Sequence, residues 1–283
     1  MSDPKVPDPE KPGLKVPDLK PPDRKMEPVM QTRFSALAAA ALVALAAALP
    51  ARAETALVAV AANFAGVAEE LSEVYGGESG NTVTLTIGST GKLFAQIGEG
   101  APFNAMLSAD AATPEKLEAA GETVPGQRFT YAVGRLALWS PDETRIGADG
   151  KAALTDAGLR HVAIANPDLA PYGAAAKQAL QGLGLWDGLQ DKIVMGQNIG
   201  QTHSMVASGA AELGFVALSA LLDPENPAGG ARWEVPQDLY APIRQDAVLL
   251  KAGEGNAAAE GFLAFLRSPQ AQDVIRSYGY AVE

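Results

Sequence analysis

The stretch VAVAANFAG, beginning at Val58, runs a short apolar segment into a bare Asn63 and then straight into residues spaced as a helix. The change of period recurs in TIGSTGKLFAQI, where alternation ending at Ile87 meets Gly88, Ser89 and Thr90 before a second helical pattern. Strand followed at once by helix, and repeated, narrows the fold more than any other feature, because parallel strands need a long crossover and a helix commonly supplies it. Leu57–Ala61 reads as the first strand, and Val67, Leu71 and Tyr75 mark a helix that Gly76 and Gly77 end. Val83, Leu85 and Ile87 alternate with threonines as a second strand. Leu93, Phe94 and Ile97 give the next helix, PFNAMLSA a buried strand and Pro114–Ala120 another helix. This βαβαβ order predicts an α/β fold, a parallel or mixed sheet wrapped by helices.

The later half repeats the pattern. TYAVGRLALWS and HVAIANP read as strands, YGAAAKQALQGLG as an Ala-rich helix closed by glycine, IGQTHSMVASGA as a helix and LGFVAL as the strand after it. A strand at DAVLLKAG precedes a helix through Phe262, Leu263, Phe265 and Leu266. In the last helix Ser268 caps, Pro269 takes the first turn and Gly279 stops. Two α/β lobes with a cleft between them fit this order, since binding sites form at domain interfaces and at the carboxyl ends of strands.

The first part of the chain has a different character. Residues 1–29 carry eight prolines, six acidic and six basic residues with almost nothing apolar, a composition that cannot offset its ordering entropy and predicts disorder. A start at Met30 would leave this stretch outside the protein. From Met30 the chain reads MQTRFSALAAAALVALAAALPARA: a charged start at Arg33, an apolar run to Leu49, then Pro50 and the small-x-small ending Ala51-Arg52-Ala53. A membrane-spanning helix needs about 20 apolar residues. This pattern instead predicts a secretory signal peptide over 30–53, cleaved before Glu54.

The net charge of -11 argues against nucleic acid or an anionic membrane as partner, since either needs a basic face. Cysteine is absent, which removes disulfides, thiolate metal sites, cysteine nucleophiles and the attachment point of a lipoprotein's lipid. With His161 and His203 as the only histidines, zinc would have to be held almost wholly by carboxylates, and both read as ordinary surface or helix residues.

Asn63 and the pair Ser89-Thr90 share one position type, after a strand and before a helix. There the first backbone N–H groups lack partners and, with the helix dipole, favour an anion. A side chain at such a place either caps its own helix or donates to a ligand. Pro171-Tyr172-Gly173 and Asn198-Ile199-Gly200 offer the same geometry in the second half. Four such turns facing one cleft would make a cage of neutral donors without a counter-charge, suited to a small, fully ionised oxyanion.

Enzyme motifs are missing. GSTGKL is similar to the end of a phosphate-binding loop, but Thr86 stands where its first glycine would be and Leu93 where its hydroxyl would be. No Gly-x-Ser-x-Gly elbow surrounds Ser89, because Ile87 holds the first glycine position. Asp110 and Asp246 could form an acid/base pair, though an isolated aspartate at a strand end is more often a cap or a hinge contact.

The blocks VAVAANF, IGSTGKLFAQIGEGAPFNAMLSAD, RFTYAVGRLALWS, IANPDLAPYGAAAKQAL and SPQAQDVIRSYGY, in this order, resemble the periplasmic molybdate-binding proteins of ABC transporters over about Ala56 to Val282. The resemblance implies a two-lobed receptor, each lobe a mixed, mostly parallel sheet with flanking helices, joined by two crossover strands. Residues 54–134 with 237–283 would form one lobe and 135–236 the other. It implies no catalysis and no cofactor. A tetrahedral molybdate or tungstate would lie in the cleft, and a membrane permease with its ATPase would receive it from a monomeric periplasmic protein. The implied ligand contacts are Asn63, Thr90, Tyr172 and the N–H of Ile199, with Ser89 as an additional donor. Some members supply a tyrosine from the strand that here reads GFVAL; Ala217 stands at that place, and Tyr172 carries the phenol instead.

Overall fold

The computed structural model describes residues 53–283 and, upstream of them, Asp18 alone. Apart from Asp18 and Ala53, the readings of 1–29 and of the signal peptide at 30–53 lie outside the described residues.

Two five-stranded sheets organise the chain. The first contains β1 (Thr55–Ala61), β2 (Thr82–Gly88), β3 (Ala105–Leu107), β4 (Phe129–Gly134) and β10 (Ile243–Leu249), in the order β2-β1-β3-β10-β4. The second contains β5 (Leu136–Ser140), β6 (Val162–Ala165), β7 (Ile193–Gly196), β8 (Leu213–Ala217) and β9 (Ala231–Glu234), in the order β7-β6-β8-β5-β9. Each sheet has three parallel strands followed by an antiparallel one, β10 in the first and β5 in the second. That antiparallel strand is in each case the one the chain makes on arriving from the other sheet. The first passage is at Arg135, between β4 and β5; the second spans 235–242, between β9 and β10. The two lobes are thus tied at two neighbouring crossings. TYAVGRLALWS, read as strand throughout, is split at Arg135 into strands of different sheets.

Helices cover both faces of each sheet: α1 (Ala65–Ser79), α2 (Thr90–Gly98), α3 (Ala112–Ala119), α7 (Ala257–Phe265) and α8 (Pro269–Ser277) on the first, α4 (Gly150–Leu154), α5 (Pro171–Gly182) and α6 (Ile199–Ala207) on the second. Alternation along a strand sends neighbouring side chains to opposite faces. Val58 and Val60 accordingly pack with Leu71 and Phe262, while Ala59 packs with Leu93 and Leu117 on the other side. In the second lobe Leu138 and Ile164 meet Ala176 and Leu180, and Ala137 and Ala163 meet Val206. Each buried Val, Leu, Ile or Phe side chain among these contributes about 1.5–3 kcal/mol.

Several boundaries differ from the sequence reading. Helix α1 continues through Gly76 and Gly77 and ends at Gly80, whose φ of 73° is the left-handed C-cap. Glycine inside a helix costs only about 1 kcal/mol, and the cap bond from Gly80 N–H to the Gly76 carbonyl defines the true end. Strands β7 and β9 and the short α4 have no counterpart in the sequence reading; unlike the equally short β6 and β8, they are partly exposed and show no continuous buried apolar run. At the C-terminal end the expectation holds. Ser268 caps α8, its Oγ accepting from Ala271 N–H, Pro269 opens the helix and Gly279 follows it at φ 83°.

Candidate functional site

Four strand-to-helix turns converge between the lobes. Their cavity is lined by Asn63 after β1, Ser89 and Thr90 after β2, Tyr172 at the start of α5 and Ile199 at the start of α6, so every ligand residue expected from the sequence borders one space. The space open to the centre of a water molecule is about 10 Å³. None of the cavity's lining residues carries a charge. All five of these residues are buried, Asn63 at 8% exposure being the most open. The space is therefore narrow and lined by side chains that are all but closed to solvent.

The donors can be counted from local structure. Ser89 is the N-cap of α2 and its Oγ accepts from Lys92 N–H at 3.4 Å, which leaves its own hydrogen to donate. Thr90 Oγ1 accepts from Ala109 N–H at 3.1 Å and is left in the same condition. Asn198 caps α6 by accepting from Gln201 N–H at 2.8 Å, so the Ile199 N–H begins the helix without a partner in it. Pro171 at the first position of α5 has no N–H, which makes Tyr172 the first residue of that helix able to donate from its backbone.

Asn63 behaves differently. It caps no helix, although a 3-10 turn over Ala62–Phe64 leads into α1. Its Nδ2 donates to Gln245 Oε1 at 2.7 Å and to the Tyr280 hydroxyl at 3.1 Å, which uses both amide hydrogens. Its carbonyl accepts from Tyr280 Oη at 2.7 Å and from Ser219 Oγ at 3.1 Å. The donor that Asn63 has left for the cavity is its backbone N–H; its Oδ1 can only accept.

Behind the cavity lies a polar layer the sequence reading missed. Gln245, fully buried on β10, accepts from Tyr131 Oη at 3.2 Å and donates from Nε2 to Tyr172 Oη at 3.4 Å. Burial pushes the Tyr131, Tyr172 and Tyr280 phenols up, so all three are protonated donors at neutral pH. A signal was available: in Ile243-Arg244-Gln245 a polar residue occupies the inward phase of the strand.

The lobes also meet directly. Gly91 N–H of α2 donates across the cleft to the Leu169 carbonyl at 2.9 Å. A Cβ at Gly91 would stand 3.1 Å from that oxygen, so a larger residue there would press on the contact.

The other candidates have structural partners. Asp110 accepts from Thr113 N–H at 2.8 Å in the first turn of α3, and Asp246 is held by Arg128 Nη1 and Thr130 Oγ1, each at 2.7 Å. Neither lines the cavity. His161 is exposed, and His203 stacks on Trp139 with ring centroids 4.7 Å apart. Ala217 ends β8, buried and outside the lining. Among the described residues no group of three or more His, Cys, Asp or Glu could hold a metal ion, and no helix is long and apolar enough to cross a membrane.

Comparison with known proteins bears on this arrangement directly. The model of the bacterial extracellular solute-binding proteins matches residues 56–281. The chain belongs to that family. Among solute-binding proteins it is 49% identical over 236 residues to the molybdate-binding protein ModA of Rhodobacter capsulatus, covering 83% of this chain and 92% of the relative. It is 48% identical to the molybdate-binding protein ModA of Azotobacter vinelandii over 226 residues, 80% of this chain and 89% of the relative. The solved periplasmic molybdate-binding protein of Azotobacter vinelandii superposes with a TM-score of 0.78 at 43% identity, covering 81% of this chain and 99% of the other. The two-lobed α/β architecture is therefore that of a solute-binding protein, and the family's role is in transport and not in catalysis.

Proposed function

We propose that this solute-binding protein captures molybdate in the cavity between its lobes and delivers it to the permease of an ABC transporter. One observation carries the reading: four helix-opening turns, two from each lobe, surround a space lined only by neutral groups. A dianion is matched there by donors alone, with no carboxylate to repel it and no cation to favour one orientation. The similarity to two molybdate-binding proteins at 48–49% identity supports the choice of solute.

In this reading the Asn63 N–H, the Ser89 and Thr90 hydroxyls, the Tyr172 phenol and the Ile199 N–H hold the oxyanion. Open lobes admit it, donors from both sides close over it, and the closed form docks on the permease and its ATPase. No bond is made or broken. The protein acts as a monomer in the periplasm, after cleavage of a signal peptide before Glu54. Tungstate, a tetrahedral oxyanion of nearly the same size, binds as well. Sulfate is smaller, so its oxygens do not reach all donors of a rigid cage at once.

The test is a titration of residues 54–283 with molybdate, tungstate, sulfate and phosphate, read by thermal unfolding. A ligand at a thousand times its dissociation constant stabilises the fold by about 4 kcal/mol. The expected result is a large upward shift with molybdate and tungstate and little with sulfate or phosphate. No shift with any of the four would overturn the reading and direct the search to other solutes.

A further inference from the structure

We propose that the backbone contact between Gly91 and Leu169 is a latch: it holds the lobes closed over the cavity and so sets how slowly a bound solute leaves. The proposal rests on the reading of the cavity as an oxyanion site.

The contact stands at the boundary of two spaces. Thr90, Ala170 and Pro171 border the cavity on one side and, on the other, an open groove of about 340 Å³. Gly91 and Leu169 border the groove and not the cavity. Each is the chain neighbour of a cavity residue, Gly91 of Thr90 and Leu169 of Ala170. Where they meet, an N–H of the first lobe donates to a carbonyl of the second at 2.9 Å. Parting them joins the cavity to the groove.

The sheets place this contact away from the points where the lobes are tied. The chain crosses at Arg135, between β4 and β5, and over 235–242, between β9 and β10. In the first sheet β10 and β4 hold one edge, and β2, which leads to Gly91, holds the other. In the second, β5 and β9 hold one edge, and β6, which leads to Leu169, lies beside β7 at the other. Rotation about the crossings therefore separates Gly91 from Leu169, while the crossings themselves move little.

Both partners are held firmly within their own lobes. The first N–H groups of a helix have no partner inside it. In α2 the Ser89 Oγ takes the Lys92 N–H, and the Leu169 carbonyl takes that of Gly91. Leu169 lies on a turn built on Asn166, whose carbonyl accepts from Leu169 N–H at 3.1 Å and Ala170 N–H at 2.9 Å, and whose Oδ1 accepts from Asp168 N–H at 3.0 Å. A Cβ added at Gly91 would meet the Leu169 oxygen at 3.1 Å and its Cα at 3.2 Å, both backbone atoms of that turn. The strain then falls on the closure of the lobes. With the lobes parted, water hydrates both groups, so the bond favours the closed form and not the fold of either lobe.

Gly91→Ala is the test, with Gly98→Ala as its control. Both put alanine for glycine in α2, a change that favours a helix, and a Cβ at Gly98 would meet nothing within 4 Å. Molybdate association and release are followed by stopped flow in the parent and both variants, alongside thermal unfolding without ligand. Gly91→Ala should release molybdate several-fold to about ten-fold faster, the scale of one hydrogen bond. Its association should be no slower than the parent's, and its ligand-free midpoint should equal or exceed the parent's. Gly98→Ala should keep the parent's rates.

Release from Gly91→Ala at the parent's rate, or an equal acceleration in Gly98→Ala, would overturn the proposal. So would a ligand-free midpoint that falls in Gly91→Ala, because the contact would then belong to the fold and not to closure. If the parent binds no oxyanion, the proposed function fails, and a second readout decides the latch alone. The chain has no cysteine of its own, so Gln96→Cys on α2 and Gln181→Cys on α5, both exposed, carry a unique pair of spin labels, one on each lobe. Longer label distances in the ligand-free Gly91→Ala protein than in the parent sustain the latch, and identical distances overturn it.

Discussion

Asn63 and Asn198 occupy the same kind of place, a strand-to-helix turn facing one cavity, and spend their side chains in opposite ways. Asn198 turns its Oδ1 onto its own helix, to Gln201 N–H at 2.8 Å, and its neighbour's free N–H faces the space between the lobes. Asn63 sends its amide away from its helix, to Gln245 and Tyr280, residues more than 180 positions later in the chain. One asparagine is a local device and the other a tertiary one. A residue type at a turn therefore announces that backbone donors are near, and only the packing around it decides what the side chain does.

The largest effect should come from removing the tertiary asparagine. Asn63→Ala removes two buried hydrogen bonds, to Gln245 Oε1 and to the Tyr280 hydroxyl, each worth about 0.5–1.5 kcal/mol, while Tyr131, Ser219 and the backbone carbonyl at 63 remain as partners. Thermal unfolding without ligand should show that loss, and molybdate affinity should fall by about ten- to a hundred-fold as the turn and the Gln245 amide lose their register. A variant that loses affinity at unchanged ligand-free stability would mean that the side-chain amide serves the solute directly, and the contrast with Asn198 would break.

Next in size is Thr90→Val, which keeps the shape and removes the hydroxyl. Its hydrogen is proposed to reach the anion and its oxygen accepts from Ala109 N–H at 3.1 Å. Affinity should drop by about ten-fold, the scale of one hydrogen bond to a charged group. Equal affinity for parent and variant would remove Thr90 from the donor set.

Asn198→Ala should do less. Losing a side-chain N-cap costs about 1 kcal/mol of stability, visible in denaturant unfolding. Affinity should change by only a few-fold, because the Ile199 N–H stays in place. A loss as large as that of Asn63→Ala would erase the distinction between the two turns.

The same contrast explains what was legible in the sequence. The alternation of strand and helix was readable because each element's period is written in its own residues, as Val83, Leu85 and Ile87 alternate and Val67, Leu71 and Tyr75 recur at helical spacing. The five cavity residues were readable because helix-opening turns present backbone donors whatever lies beyond them. Gln245, Tyr280, Tyr131 and Ser219 were not, since each acts through a partner distant in the chain, and a lone glutamine in a strand does not name that partner. The break at Arg135 was hidden for a related reason: both halves of TYAVGRLALWS are strand, and only their pairing, with Ile243 on one side and Ala217 on the other, separates them.

His203, one turn into the helix that Asn198 caps, supplies the smallest effect. It stacks on Trp139 with its ring Nε2 buried and without a hydrogen-bond partner, and burial lowers its pKa below the usual histidine range near 6.5. Between those two values the unfolded chain binds a proton that the folded chain does not. Stability therefore falls as pH drops through that window, by the linkage of proton binding to folding. His203→Phe keeps a ring on Trp139 and removes the proton. The difference in unfolding free energy between variant and parent should be flat from pH 8 to about 7 and then shift in the variant's favour as acid is added. Since Asn198 lies outside this effect, the shift should persist unchanged in an Asn198→Ala background. A difference that moves the other way would mean that protonated His203 gains a partner in the fold, with the Asp223 carboxylate of the neighbouring groove as the group to test next.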